Sequence, residues 1–209
     1  MIRKKKIRFL IVSGPTREPL DPVRFLSNYS TGVMGKCLAQ AVKRRGHRLS
    51  WVRCPDDAET ARGLLKKLRG LLPKNDVLIM AAAVCDVRPA AVSSGKIKKE
   101  TLGSFRFVKN PDILAALSDR KRSDQVFIGF GLESKNLVDN GIRKMKTKNL
   151  ELILLQQVTR KHTPFGDKKI EAICLSKNGV LKKFSKQSKN RIADYLVEQA
   201  ESLFCLKPR

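Results

Sequence analysis

Residues 27–35 place small and hydrogen-bonding side chains directly in front of a predicted helix. The candidates are Asn28, Ser30, Thr31, Gly32 and Gly35. Backbone N–H groups and the helix dipole at a first helical turn favour a triphosphate or carboxylate, and glycine lets a ligand approach closely. The segment therefore predicts an anion-binding loop. An ordinary serine or threonine helix cap explains the same residues equally well, so both interpretations stay open at this point.

The usual nucleotide fingerprints are absent from this loop. GxGxxG does not occur, and the Walker A pattern fails because Ser30 and Cys37 stand where it requires Gly and Ser or Thr. A nicotinamide-dependent reductase is further disfavoured because residues 50–54, at the end of the second predicted strand, offer no acid for a ribose.

A second group of candidates consists of charged residues. Asp86 follows a buried apolar run that ends in Ala81, Ala82 and Ala83, and its carboxylate can accept from an amino or hydroxyl group or help to hold a cation. Lys144 and Lys148 are four residues apart on one predicted helix, so both can reach the same phosphate groups. A turn cap and a pair of solvated surface charges are the plain alternatives.

Cysteine and histidine are too scattered to form a local metal site. No CxxC pair occurs, and neither histidine, His47 or His162, stands near a G-x-S-x-G elbow. We therefore expect reduced, mostly core-filling thiols. The cysteines are Cys37, Cys54, Cys85, Cys174 and Cys205.

The elements that must position these residues alternate between strands and helices. The predicted strands are 7–12, 47–54, 76–84, 125–130 and 150–157; the predicted helices are 34–46, 58–72, 110–120, 134–149 and 188–205. Asn178-Gly179 between two alternating runs predicts a hairpin over 171–184. We expect an α/β fold: a Rossmann-like, doubly wound, mainly parallel sheet with helices on both faces and a C-terminal β-hairpin. We expect one domain over 1–209, with 170–205 as its closing or dimerisation part.

The net charge of the chain restricts the kinds of partner it can have but does not identify one. The chain has 44 Lys and Arg residues against 19 Asp and Glu, a net charge of +25. This charge points either to anionic partners of some kind or to a generally cationic surface, and alone it assigns no function. Nucleic acid is disfavoured because aromatics are only 6% and no RNP-like or helix-turn-helix pattern occurs. No apolar run reaches the length of a membrane span, and a cytoplasmic protein without membrane partners is expected.

Six strings, in order, resemble one family. They are SGPTREPLDPVRFLSNYSTGVMG, AAAVCDVRP, GKIKK, KNPDIL, GFGLES and KMKTKNL. Together they are similar to phosphopantothenate–cysteine ligase (phosphopantothenoylcysteine synthetase) of coenzyme A biosynthesis, in its stand-alone, bacterial, CTP-dependent form. The flavin-dependent decarboxylase domain often fused upstream in bacteria is expected to be absent.

The resemblance implies a two-step ligation. The carboxylate of 4′-phosphopantothenate attacks the α-phosphate of CTP to give an acyl-cytidylate and pyrophosphate, and L-cysteine then displaces CMP. It also implies Mg²⁺ as cofactor, CTP as co-substrate and a homodimer with residues of both subunits near each site. The hairpin at 170–185 favours a dimer independently, because an isolated hairpin is marginal unless it packs on something.

The resemblance also implies roles for individual residues. Asn28 and Lys96 are the expected catalytic residues, with Lys96 on a mobile flap over roughly 86–102. The phosphopantothenate and intermediate site is expected to comprise Asn28, Ser30, Thr31, Gly32 and Gly35. The nucleotide site is expected to comprise Ala81, Ala82, Ala83, Asp86, Lys96, Pro111, Asp112, Ile113, Leu114, Phe130, Lys144 and Lys148, with Phe130 against the cytosine.

Two positions depart from the family pattern. Val33 replaces a lysine and so removes one cation at the mouth of the site, while Cys85 replaces a more usual serine. The alternative outside the enzyme class is a basic Rossmann-like protein that grips nucleic acid without catalysis, for which Asn28 would have no role.

Overall fold

A computed structural model describes residues 6–159 and 163–207 of the chain, in which strands and helices alternate. In chain order the elements are β1 (Arg8–Pro15), β2 (Arg17–Pro19), β3 (Phe25–Ser27), α1 (Val33–Arg44), β4 (Arg48–Arg53), α2 (Ala61–Leu71), β5 (Val77–Ala83), β6 (Val87–Pro89), β7 (Phe107–Lys109), α3 (Ile113–Ser118), β8 (Val126–Glu133), α4 (Leu137–Thr147), β9 (Leu152–Gln157), β10 (Ile170–Ser176), β11 (Gly179–Gln187) and α5 (Lys189–Cys205).

Seven strands form the central sheet in the order β11-β10-β9-β8-β5-β1-β4. The five strands from β4 to β9 pair in parallel, so their carboxyl ends lie along one edge, and β9-β10-β11 pair antiparallel. The expected mainly parallel, Rossmann-like sheet is confirmed.

The core lies on both faces of this sheet, as successive side chains of β1 illustrate. Phe9 and Ile11 face the cluster that includes buried residues of α1 and α5, whereas Leu10 and Val12 face the cluster that includes α2, α3 and part of α4. All four side chains are fully buried. Burial on both faces explains why the parallel strands are nearly continuous apolar runs in the sequence.

Two stretches expected to be irregular contain short strands. β2 pairs antiparallel with β3 inside the loop that follows β1, and β6 pairs antiparallel with β7 between β5 and α3, where the sequence predicts no strand. Each of these strands has three residues. A three-residue strand is too short to show alternation, so only the backbone pairing reveals it.

The C-terminal hairpin is confirmed, but its setting differs from the expectation. Gly179 follows the turn with φ of 104°, a conformation that favours glycine. β10 pairs with β9, so the hairpin extends the central sheet and is stabilised by the chain itself. It therefore lends no independent support to a dimer.

The expected core-filling role of the thiols holds for most of them: Cys37, Cys54, Cys85 and Cys174 are buried and free, and Cys205 is exposed. His162 lies outside the described residues. In the described parts of the chain, no helix is both long enough and apolar enough for a membrane crossing.

Candidate active site

Two adjoining cavities open at the edge where the parallel strands end. The larger, of about 310 Å³, is the site cavity, and the smaller, of about 200 Å³, is the side cavity. Ala82, Val84, Asp86 and Phe130 line both. This edge is where open α/β sheets bind ligands.

The cavities bring together most of the residues expected from the sequence. The site cavity is lined by Asn28, Ser30, Thr31, Gly32, Ala81, Ala82, Ala83, Asp86, Phe130 and Lys144. The side cavity adds Pro111, Asp112, Ile113, Leu114 and Lys148. Of the expected residues, Lys96 and Gly35 line neither.

Asn28 is tied to the end of β5. Its Nδ2 donates to the carbonyl oxygen of Ala83 at 3.0 Å and lies 3.7 Å from Sγ of Cys85. The backbone therefore takes one of the two amide hydrogens that Asn28 could donate to a substrate. Oδ1 is the side-chain atom that no group in the described part of the chain engages.

The start of α1 decides between the two interpretations of the glycine-rich loop. The N-cap residue is Gly32, whose φ of 73° favours glycine, and no side chain caps the helix. Ser30 Oγ accepts only weakly from the N–H of Gly32, at 3.5 Å, and Thr31 Oγ1 accepts from the N–H of Gly166. The interpretation as an ordinary serine or threonine cap is therefore wrong, and the first N–H groups of α1 stay available to an anion.

Gly35 has a packing role instead of the expected ligand-contacting role. It is buried, and a Cβ at this position would lie 2.0 Å from Cβ of Ser13. Its lack of a side chain lets α1 approach β1 closely, which holds the loop against the sheet.

The two lysines expected to bind phosphate are each paired with a carboxylate. Nζ of Lys144 lies 2.5 Å from Oε1 of Glu133, and Nζ of Lys148 lies 3.0 Å from Oδ2 of Asp112. The other oxygen of Asp112 accepts from the N–H of Ala115 and caps α3. A triphosphate here must therefore compete with two carboxylates for these cations.

Lys96 is exposed and outside both cavities, contrary to its expected position over the site. Its segment is anchored to the turn before β3: Ile97 N–H donates to Oδ2 of Asp21 at 3.2 Å, and Arg24 donates to the carbonyl of Ile97. Burial would raise the pKa of Asp21, but N–H donors including Val23 and Ile97, with the nearby Arg24 guanidinium, lower it overall. This ionised carboxylate therefore fastens the segment to the turn.

The positions that depart from the family pattern differ in their surroundings. Val33 lines the site cavity, so the substitution for lysine removes a charge at the cavity wall. Cys85 is buried, its N–H donates to Oγ1 of Thr16, and its thiol lies within 3.7 Å of the carbonyl oxygens of Thr16 and Leu26. The cysteine thus joins β5 to the β2–β3 ribbon.

Sequence reasoning missed several residues that line the site cavity, among them Gln156, Pro164, Phe165 and Lys189. A signal for Gln156 existed, because it is the first of two polar residues at the end of an otherwise apolar strand, LILLQQ. The sequence contains no such signal for Lys189, because a lysine at the start of a helix normally lies in solvent.

Comparisons with known proteins agree with the fold. Residues 4–203 match the family model of the DNA/pantothenate metabolism flavoprotein C-terminal domain. The chain is 32% identical to a cysteine/cysteine sulfinic acid decarboxylase from an unknown prokaryotic organism, covering 94% of this chain and 58% of that protein. It is 33% identical to the coenzyme A biosynthesis bifunctional protein CoaBC of Borreliella burgdorferi (strain ATCC 35210 / DSM 4680 / CIP 102532 / B31), covering 94% and 52%.

A solved structure gives the same result. The crystal structure of the C-terminal domain of coenzyme A biosynthesis bifunctional protein CoaBC superposes with a TM-score of 0.76 at 26% identity, covering 94% of this chain and 95% of that one. The chain spans about half the length of the curated relatives it matches, 58% and 52% of the two above. It belongs to the DNA/pantothenate metabolism flavoprotein C-terminal domain family.

Proposed function

We propose that this chain joins 4′-phosphopantothenate to L-cysteine, with CTP as the activating nucleotide, to give 4′-phosphopantothenoylcysteine, CMP and pyrophosphate. The observation that carries the proposal is the convergence of five of the six ordered motifs, all but GKIKK, on two adjoining cavities at the carboxyl edge of the sheet. The family match and the 33% identity to a coenzyme A biosynthesis protein support it.

In the first step a carboxylate oxygen of 4′-phosphopantothenate attacks the α-phosphorus of CTP, and the bond to pyrophosphate breaks. Lys144 and Lys148 exchange Glu133 and Asp112 for triphosphate oxygens, which neutralises charge on the leaving group. The uncapped N–H groups of α1, whose first residues Val33 and Met34 line the site cavity, hold anionic oxygens. Phe130, shared by both cavities, offers a ring face to the base.

In the second step the amine of cysteine attacks the acyl carbon, the bond from that carbon to the phosphate oxygen breaks, and CMP leaves. The amine becomes an amide nitrogen as it loses a proton. Asn28 lies beside the end of β5 with Oδ1 unengaged, and this atom can accept a hydrogen bond from the incoming amine. It orients the amine without adding charge beside the phosphates.

Mg²⁺ fits this arrangement as a companion of the triphosphate. Asp86 provides a carboxylate at the junction of the cavities, and Mg²⁺ is commonly held by one or two carboxylates together with substrate phosphates. In the described ranges, no group of three or more His, Cys, Asp or Glu side chains forms an all-protein site. When bound, the ion neutralises charge on the phosphates.

We further propose a homodimer, which the family resemblance implies. β11 is the outer strand of the central sheet, and its Val180 and Leu181 are 46% and 45% exposed. Light scattering at micromolar concentration is expected to give about twice the 23.5 kDa of one chain. A fully active monomer would overturn this part of the proposal.

The test is product analysis by mass spectrometry, with 4′-phosphopantothenate, L-cysteine and each nucleoside triphosphate in turn. Phosphopantothenoylcysteine and CMP are expected, with a higher kcat/KM for CTP than for ATP. Equal or better use of ATP overturns the nucleotide assignment. Release of CO₂ from cysteine without nucleotide consumption would instead indicate the activity named for the decarboxylase relative. Full activity of Asn28→Ala would remove the role assigned to Asn28.

A further inference from the structure

Gln156 carries a buried donor for which the chain supplies no acceptor. It ends the buried part of β9, where it pairs in register with Leu132 of β8, and it lines the site cavity. The residue is 7% exposed, and its Nε2 has no hydrogen-bond partner in the described structure. A buried amide donor that has given up water is costly unless an acceptor reaches it. This position therefore fits a cavity that functions with an acceptor inside it.

Lys189 places a cation in the lining of the same cavity. It is 6% exposed, and its Nζ donates to the carbonyl oxygens of Pro164, at 2.7 Å, and Gly166. An ammonium group has three N–H donors, so one remains, and within residues 6–159 and 163–207 no carboxylate lies at ion-pair distance from Nζ. Burial lowers the pKa of Lys189, with the charge of Asp167 among the opposing effects. A buried cation whose hydrogen bonds go to carbonyl oxygens, and whose nearest negative charge stays beyond ion-pair distance, is open to an anion.

We propose that Gln156 and Lys189 form an oxyanion subsite of the site cavity, which takes a carboxylate or phosphate group of the acid substrate. A neutral N–H and an ammonium suit two oxygens of one such group. The identity of the substrate rests on the proposed function, and 4′-phosphopantothenate carries one group of each kind. The subsite lies in the same cavity as Asn28, so a bound acid would span both.

The test is calorimetric titration of Gln156→Leu with three probes and with CTP. The probes are 4′-phosphopantothenate, pantothenate, which lacks the phosphate, and 4′-phosphopantetheine, which lacks the carboxylate. The Kd for 4′-phosphopantothenate is expected to rise on the order of tenfold or more, by loss of one hydrogen bond to a charged group, while the Kd for CTP stays within about twofold. Of the two partial probes, the one whose Kd also rises identifies the recognised group.

Matched controls exclude general effects. Gln157→Leu changes the adjacent, exposed glutamine and is expected to leave every Kd unchanged. Lys189→Met is expected to raise the Kd for the same probe. Lys168→Met, which removes an exposed charge nearby, is expected to leave that Kd unchanged. The melting temperature of Gln156→Leu is expected to be no lower than that of the wild type, because the variant removes an unpaired buried donor. A lower melting temperature would assign Gln156 a structural role and overturn the proposal.

The subsite and the proposed function fail separately. If the wild type makes phosphopantothenoylcysteine but Gln156→Leu binds 4′-phosphopantothenate normally, the subsite is wrong and the function stands. If the wild type binds 4′-phosphopantothenate, and Gln156→Leu binds it more weakly as predicted, but the wild type forms no product, the subsite stands and the function is wrong. If the wild type binds none of the three probes, both are wrong.

Discussion

Lys144 and Glu133 form an ion pair at the wall of the site cavity, with 2.5 Å between Nζ and Oε1. Oε2 of Glu133 also accepts a hydrogen bond from Asn140, so two side chains from one face of α4 hold the carboxylate. Lys144 is thus kept at the cavity as a cation that a more highly charged partner can take over. The same arrangement occurs at Lys148 and Asp112.

Lys144→Gln is expected to raise the KM for CTP about tenfold or more, because a charge-assisted hydrogen bond to phosphate is lost. Lys146→Gln is the matched control, since it removes the same charge from an exposed position of the same helix. Steady-state kinetics with varied CTP distinguishes them. Equal effects of the two substitutions would reduce Lys144 to a contributor to general positive potential.

Lys96→Gln is expected to lower kcat on the order of 10²-fold and to raise KM less than that. The reason is that the segment carrying Lys96 closes over the phosphate charge that develops in the transition state. Because Lys96 lies outside both cavities in this structure, its role requires such a movement. Lys98→Gln makes the same charge change two residues away and is expected to have little effect. Kinetics at saturating CTP compares the pair, and unchanged kcat in Lys96→Gln would make this lysine a surface charge.

Gly35→Ala is expected to destabilise the fold by about 1–3 kcal/mol, because the new Cβ would overlap Cβ of Ser13 and push α1 from β1. Gly70→Ala is the control: it lies in α2, where nothing stands within 4 Å of a new Cβ. That substitution is expected to stabilise by about 0.5–1 kcal/mol. Urea unfolding of both variants gives the comparison, and a neutral Gly35→Ala would contradict the packing role.

Asp76 predicts a pH dependence of stability. Burial would raise its pKa, but hydrogen bonds from the side chain and N–H of Arg8 outweigh burial, so the folded-state pKa is lowered. A carboxyl group whose pKa is lower in the folded state stabilises the fold at pH values above its unfolded-state pKa of about 3.9. This stabilisation is lost as the pH falls through the folded-state pKa.

Asp76→Asn is accordingly expected to be less stable than the wild type by about 2 kcal/mol at pH 7. The difference should shrink below about pH 4. Unfolding measured from pH 7 to pH 2 checks this. A difference that stays constant across the range would show that the charge of Asp76 is not what matters.

The sequence predicts those parts of the site that depend on one element at a time. The apolar run of β5 places Ala81 and Asp86 at a ligand-binding edge, and helical spacing places Lys144 and Lys148 on one face. Their carboxylate partners were not predictable, because Glu133 ends one strand and Asp112 caps a different helix, and only tertiary packing brings them to the lysines.

The missed lining residues have a similar physical cause. Lys189 reaches the cavity because the β10–β11 hairpin returns the chain to the start of α5, which packs beside α1 on one face of the sheet. No local pattern distinguishes such a buried lysine from a solvated one. Gly35 was misassigned for the same reason, since its neighbour Ser13 is on another element.

Transfer of ¹⁸O tests the account most directly. With 4′-phosphopantothenate labelled at both carboxylate oxygens, attack on the α-phosphorus of CTP and later cleavage at the acyl carbon must leave one labelled oxygen in CMP and one in the amide product. Mass spectrometry of the products in a complete reaction is expected to show this distribution. Formation of phosphopantothenoylcysteine with unlabelled CMP, or appearance of the label in pyrophosphate, would contradict the acyl-cytidylate route.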